Sequence, residues 1–321
     1  SLGWPELDVL VVSGDAYVNQ PSFGVALLGR YLVDRGYRVG IAAQPRWQGD
    51  EALEDMTRMG RPRLFAGVAA GAIDSMLARY TALRKKRLDG AESPGGKAGS
   101  RPTRACIVDT GLVRQAFPGL PVVLGGIEAS LRRISHYDFW SDSLRRPLLQ
   151  DSKADLLVYG MGERALLAIA KVARDLAGPD DSGRASGAPL SRQALVAACR
   201  TLPGLAFMES LSADRTWLQN RDSSPLVLPS HEVMLADPPA LLRAALALEA
   251  HVHQSVTSVS SEPDERERPG SRHTPSNRGG EDAPEYTYAS DASSASEILP
   301  AEGRYALQES GVRLLVLSAP A

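Results

Sequence analysis

Apolar residues recur along the first two thirds of this chain in a simple alternation. A short apolar run of strand length is followed by a stretch with helical spacing, then by another run. Residues 7–12 form the first run and end at Ser13-Gly14-Asp15. A helix follows from Ser22, an N-cap residue, with Val25, Leu28, Leu32 and Val33 on one face and Gly36 at its end. Residues 38–43 are the second strand, which completes a βαβ unit. A short helix over 51–59 leads to a third strand at 63–69 and a helix at about 73–83. Pro102 and Thr103 open a helix with Ile107, Val108, Leu112 and Phe117 on its buried face. The fourth strand is 121–124 and the fifth 155–159, each running into glycine and then a helix. A polar linker at 180–189, a helix at 191–202 and a short strand at 205–208 follow.

Strands alternating with helices predict an α/β fold with a doubly wound, mostly parallel sheet of Rossmann-like type. Ligands in such sheets lie outside the carboxyl ends of the strands. That rule directs attention to Asp15, Tyr17 and Ser22 after the first strand, to Gly125, Gly126 and Glu128 after the fourth, and to Gly160, Gly162 and Glu163 after the fifth. Glycine allows close backbone approach, and the three carboxylates disfavour a bare phosphate. They suit hydroxyls, amides or a cationic ligand, and Glu128 and Glu163 also complement helix N-termini. Glu128, Arg132 and His136 recur at i, i+4 and i+8, which predicts a shared helical stripe with Asp138 just beyond it. An exposed pair of this kind predicts that Glu128 and Arg132 matter more for binding than for stability. Gly160-Met161-Gly162-Glu163-Arg164-Ala165 matches G-x-G-x-x-A only loosely, because it follows the fifth strand and not the first.

Two segments break the alternation. Arg84-Lys85-Lys86-Arg87 is a basic cluster, and 89–102 is rich in Gly, Ser and Pro, a long loop of the functional or disordered kind. Residues 255–296 have almost no apolar periodicity, which predicts a globular domain over 1–254 and a polar, mostly disordered tail over 255–321. The apolar run 314–317 within that tail has no evident place. A helix is expected at 238–252.

The net charge of −2 gives no argument for nucleic acid or an anionic membrane, and no apolar run is long enough to span a bilayer. The expectation is a cytoplasmic protein with neither partner. Two cysteines, Cys106 and Cys199, exclude a disulfide framework and read as packed, reduced thiols.

Several motifs carry a resemblance. They are Gly14-Asp15-Ala16-Tyr17-Val18, Pro21-Ser22-Phe23-Gly24, Arg79-Tyr80-Thr81-Ala82, 93–99, 125–142 and 151–164. Together they resemble the YgiQ-type radical SAM proteins, in the domain that precedes their catalytic barrel, over residues 3–254. The resemblance implies a cobalamin-binding-like fold and a [4Fe–4S] cluster with SAM on that barrel. It also implies that Tyr137, Phe139 and Trp140 pack against the barrel. The barrel's Cys-x3-Cys-x2-Cys motif is absent from this chain, and so is the Asp-x-His-x-x-Gly of many cobalamin proteins. Gln20 stands before Pro21-Ser22-Phe23-Gly24, so no histidine of that loop can bind a corrin.

The resulting expectation is an accessory, substrate-shaping domain, not catalytic alone, with the barrel lost from the chain or supplied in trans. An independent module for a small adenosine-like or corrin ligand is the alternative. A hydrolase or transferase using Glu128, His136 and Asp138 is a third reading, without a recognised nucleophile–base spacing.

Overall fold

The computed structural model describes residues 4–17, 23–90, 93–178, 190–210, 226–259, 305–309 and 313–317. Strand β1 (Val9–Ser13) is followed by helix α1 (Phe23–Val33), β2 (Val39–Ala43), α2 (Glu51–Thr57) and β3 (Phe65–Ala69). After them come α3 (Ser75–Arg79), α4 (Ala105–Ala116), β4 (Val122–Gly125), α5 (Gly126–Leu131), β5 (His136–Asp138), β6 (Ser143–Arg145) and α6 (Leu148–Ser152). Next are β7 (Leu156–Val158), α7 (Glu163–Ala177), α8 (Arg192–Cys199) and β8 (Leu205–Glu209). The last described elements are β9 (Leu226–Leu228), α9 (His231–Ala236), α10 (Pro238–Val259), β10 (Tyr305–Glu309) and β11 (Arg313–Leu317).

The main sheet has the order β2-β1-β3-β4-β7-β8-β11-β10-β9. Its first five strands are parallel, as the alternation predicts. β8 then adds antiparallel to β7, and β11 antiparallel to β8. Successive residues of a strand face opposite sides. Val9 and Val11 of β1 therefore enter one core with α1, α7 and α8, while Leu10 and Val12 enter the other with α2 and α4. β1, β3, β4 and β7 are buried on both faces, which explains their unbroken apolar runs in place of alternation, while the edge strand β2 is only half-buried on one face. The chain leaves β1 toward β2 and returns to place β3 on β1's other side, which is the topological switch point of the sheet.

Three expectations are corrected here. The helix expected at 73–83 is only α3, because Tyr80 turns to extended geometry and bridges Lys86. The helix after β4 stops at Leu131, and His136 lies in a two-stranded hairpin, β5–β6. Glu128, Arg132 and His136 therefore do not share a helical stripe. The Gly-rich stretch, described from 93, is held in place. Gln44 Nε2 donates to Ser93 Oγ at 2.9 Å, and Trp47 Nε1 to the Gly99 carbonyl at 3.2 Å.

The expected disordered tail, 255–321, falls mostly outside the described residues. Its last described part is ordered: β10 and β11 enter the main sheet, and α10 runs to Val259. The run at 314–317 pairs locally with β10 and, through 314–316, with 206–208, more than 100 residues earlier, where Leu314, Leu315 and Val316 are buried. The polar linker 180–189 and Ser22 also lie outside the described residues.

Candidate ligand cleft

A cleft of about 400 Å³ opens at the carboxyl ends of β1, β3, β4 and β7, on the face covered by α1 and α7. Its floor is Val11, Phe65, Gly67, Ala69, Val123, Gly125 and Val158. Its walls are Val25 and Leu28 of α1 and Leu166 of α7. The turns Gly71-Ala72, Gly126-Ile127 and 160–162 form the mouth. Glu163 is the charged side chain among the described lining residues. The volume and the mainly apolar lining are those of a small-molecule site.

Of the candidate residues, Gly125, Gly126, Gly160, Gly162 and Glu163 line this cleft. Asp15 stands behind its wall. It is fully buried, 2.5 Å from the Arg101 guanidinium, and accepts the Ala72 N–H at 2.6 Å. Arg101 in turn donates to the carbonyls of Ala70 at 2.9 Å and Ile73 at 3.0 Å. The pair fixes the turn after β3. Gly71 has φ +113° there, and a Cβ on it would meet the Asp15 carboxylate at 2.4 Å, so only glycine fits. Arg101 carries no motif signal in sequence, and its role is visible only in three dimensions. Tyr17 is exposed and is not among the cleft's described lining residues.

Glu128 lies elsewhere and is fully buried. Its carboxylate accepts the backbone N–H of Ser75 at 2.9 Å and of Cys106 at 3.2 Å, the first turns of α3 and α4. Arg132 lies 3.6 Å from it and 2.5 Å from Asp74. The expected exposed ion pair is thus an interior junction that serves two helix N-termini.

A second, water-sized chamber of about 10 Å³ is lined by Glu128, Arg132 and His136 with Arg104, Arg145 and Asp151. The last turn of α5 sets Arg132 beside Glu128, and the β5–β6 hairpin, not helical spacing, brings His136 and Arg145 to them. His136 Nδ1 faces the Ile134 carbonyl at 3.2 Å. Burial pushes the imidazole down to about 4, against that hydrogen bond and with help from the Arg132 charge. His136 is therefore neutral near pH 7. Burial raises the Asp138 carboxyl, but hydrogen bonds from Ser141 and Arg104 outweigh it and hold it below the ordinary range. Asp138 is a hairpin anchor. Trp140 stacks on Tyr80 at 5.5 Å and meets Phe139 edge-on at 5.4 Å, while Phe139 and Tyr137 stay about half exposed.

Residue types for metal chemistry do not converge. Among the described residues no group of three His, Cys, Asp or Glu could hold a metal ion. Cys106 and Cys199 are both fully buried, in the cores on opposite faces of the sheet. Two separated thiols do not fit the three-cysteine demand of a SAM-binding [4Fe–4S] cluster. Among the described residues that line the cleft none is histidine, so a corrin held there would have no imidazole ligand from them. Among the described residues, no helix is long and apolar enough to cross a membrane.

The Radical SAM N-terminal family matches residues 1–267. A UPF0313 protein of Thermotoga neapolitana is 48% identical over 237 residues, covering 74% of this chain and 37% of that protein. A UPF0313 protein of Geobacter sulfurreducens is 55% identical over 172 residues, covering 54% of this chain and 28% of the relative. The chain thus spans about a third of the length of these relatives. A solved radical S-adenosylmethionine methyltransferase, TsrM from Kitasatospora setae, was determined with tryptophan substrate and the SAM analogue aza-SAM. It is 18% identical with a TM-score of 0.39, over 62% of this chain and 28% of that one.

Proposed function

This chain belongs to the Radical SAM N-terminal family, as its YgiQ-type motifs suggested, and from that premise we propose that it is an accessory ligand-holding domain, not a catalyst by itself. The observation that carries this reading is the cleft at the switch-point side of the sheet, built wholly from this chain's residues. The family implies iron–sulfur and SAM chemistry. The two buried cysteines give that chemistry no seat here, so it belongs to a catalytic unit outside the described residues. In this reading the domain positions a substrate or cofactor at the mouth of that unit, a radical SAM barrel. Cobalamin is one such cofactor, held without histidine from the cleft. The second reading, an independent small-ligand module, draws on the same self-contained cleft.

The test is assembly. The catalytic remainder of the Thermotoga neapolitana relative, without its own N-terminal third, is mixed with this chain and passed over a sizing column under anaerobic conditions. Co-elution, with altered turnover of SAM to 5′-deoxyadenosine, is expected. Separate elution with unchanged turnover would leave only the independent module.

A further inference from the structure

We propose that the cleft takes a flat, uncharged heteroaromatic ring system whose polar edge carries hydroxyls, the chemistry of a nucleoside; this rests on the reading of the cleft as a ligand site. Three glycines that the fold itself does not require carry the argument. Gly24 lies in α1, Gly67 in the middle of β3 and Gly125 at the end of β4, and all three line the cleft. None has a left-handed backbone. A Cβ on Gly24 would meet nothing within 4 Å. On Gly67 it would meet only Val11 Cγ2, and on Gly125 only the Val158 carbonyl, each at 4.0 Å. Glycine weakens the interior of a strand, where Gly67 sits, while Gly24 is the second residue of α1 and Gly125 the last of β4. Gly14, Gly40 and Gly71 show the contrast, since a Cβ on each would collide with protein atoms at 2.2–2.4 Å. What the glycines at 24, 67 and 125 preserve is empty space inside the cleft.

The shape of that space follows from the register. Gly67 pairs with Val123, and Ala69 with Gly125, so Gly67, Ala69 and Gly125 form one smooth patch on two adjacent strands. Strand spacing and rise place Gly67 and Gly125 about 8 Å apart, the reach of a fused two-ring system. Helices α1 and α7 stand on either side, which makes a slot for a flat group.

Polarity narrows the class. Among the described lining residues none is Lys, Arg or His, and Glu163 supplies a carboxylate at the rim. An anionic group would meet that charge with no cation to offset it. A carboxylate instead accepts hydrogen bonds from hydroxyls. Helix α7 starts from Gly162, which has no side chain to cap its first amides, so these donors remain for a ring nitrogen or carbonyl.

The probe is the fluorescent nucleoside 2-aminopurine riboside, titrated into the full chain beside its 5′-monophosphate. Saturable binding of the riboside is expected, with the monophosphate at least tenfold weaker. Gly67→Leu should weaken the riboside at least tenfold without lowering the melting temperature, because the side chain enters open space. If Gly67→Leu melts early, Gly24→Leu on the α1 wall gives the same reading. Glu163→Gln should weaken the riboside several-fold and bring the monophosphate closer to it. No saturable binding by wild type, unaltered binding in the folded glycine variants, or equal binding of the monophosphate would each overturn the proposal. Co-elution with the catalytic remainder does not depend on these outcomes, so the two readings fail separately.

Discussion

The carboxylate of Glu128 accepts the backbone N–H of Ser75 at 2.9 Å across 53 residues of sequence. Its other oxygen takes the N–H of Cys106, and no part of the side chain reaches solvent. A helix start buried without an acceptor leaves orphan donors. Glu128→Ala should therefore cost about 3 kcal/mol or more, chiefly from two unsatisfied buried amides, with Arg132 keeping Asp74 but losing its second carboxylate. Glu128→Gln keeps one acceptor and should cost less. Urea melts of both variants give the check, and a loss below about 1 kcal/mol for the alanine variant would remove Glu128 from the structural frame.

A pH dependence follows from Asp109 and His136. Asp109 on α4 is buried, and its oxygens lack a hydrogen-bond partner. Burial first, and the Glu128 charge second, raise its carboxyl to about 8, against the opposing charge of Arg101. Unfolded Asp109 loses its proton near pH 4, whereas the native group keeps it to about 8. The native state thus holds one more proton in this window, and stability falls as pH rises through it, by about 1.4 kcal/mol per unit. His136 acts with opposite sign: its folded value of about 4 lies below the unfolded 6.5, so stability is lost as pH falls from 6.5 to 4. The two slopes oppose each other below pH 6.5, leaving the Asp109 slope unmasked between about 6.5 and 8. Asp109→Asn should flatten that segment and raise stability most at pH 8. Melts at pH 5, 6.5 and 8 decide it, and an unchanged profile in the variant would contradict the assignment.

These groups also mark where sequence reading reached its limit. The parallel strands were legible because each is a short apolar run and all but β2 lead into glycine. The cleft position followed from topology, and Gly125, Gly160 and Glu163 were found through it. Glu128 was found for its position, but its role was not, because its partners on α3 and α4 are distant in sequence. His136 was drawn onto a helix by spacing that a hairpin interrupts. Arg101 was missed because its partner Asp15 is set by tertiary packing alone, and β11 could not be placed because, beside its local pairing with β10, it enters the sheet through β8, more than 100 residues earlier.

The thiols should be inert in the folded chain. Burial, then the charges of Glu128 and Asp109, push the Cys106 thiol well above its ordinary range. Burial alone pushes Cys199 up to about 12. Thiolate is the reactive form, so neither should alkylate at pH 8. Iodoacetamide treatment followed by mass spectrometry should show no adduct on native protein and two in urea. Rapid labelling of either residue in the native state would contradict its packing.

The last prediction concerns the chemistry that the family name suggests. A cluster that binds SAM needs three thiolates around one cubane, with one iron left for SAM. This chain has two cysteines in all. Cys106 packs with α2 and α4 on one face of the sheet, and Cys199 with α1 and α7 on the other, so the sheet itself separates them. No described group of His, Asp and Glu substitutes for them. Raised thiol values work against ligation as well, because a metal binds the thiolate. Anaerobic reconstitution with iron and sulfide should thus leave iron near zero per chain, and dithionite with SAM should yield no 5′-deoxyadenosine. About four irons per chain with deoxyadenosine formed would sink the idea. Product that appears only when the catalytic remainder of a relative is added would place the cluster there and leave this chain to hold the ligand.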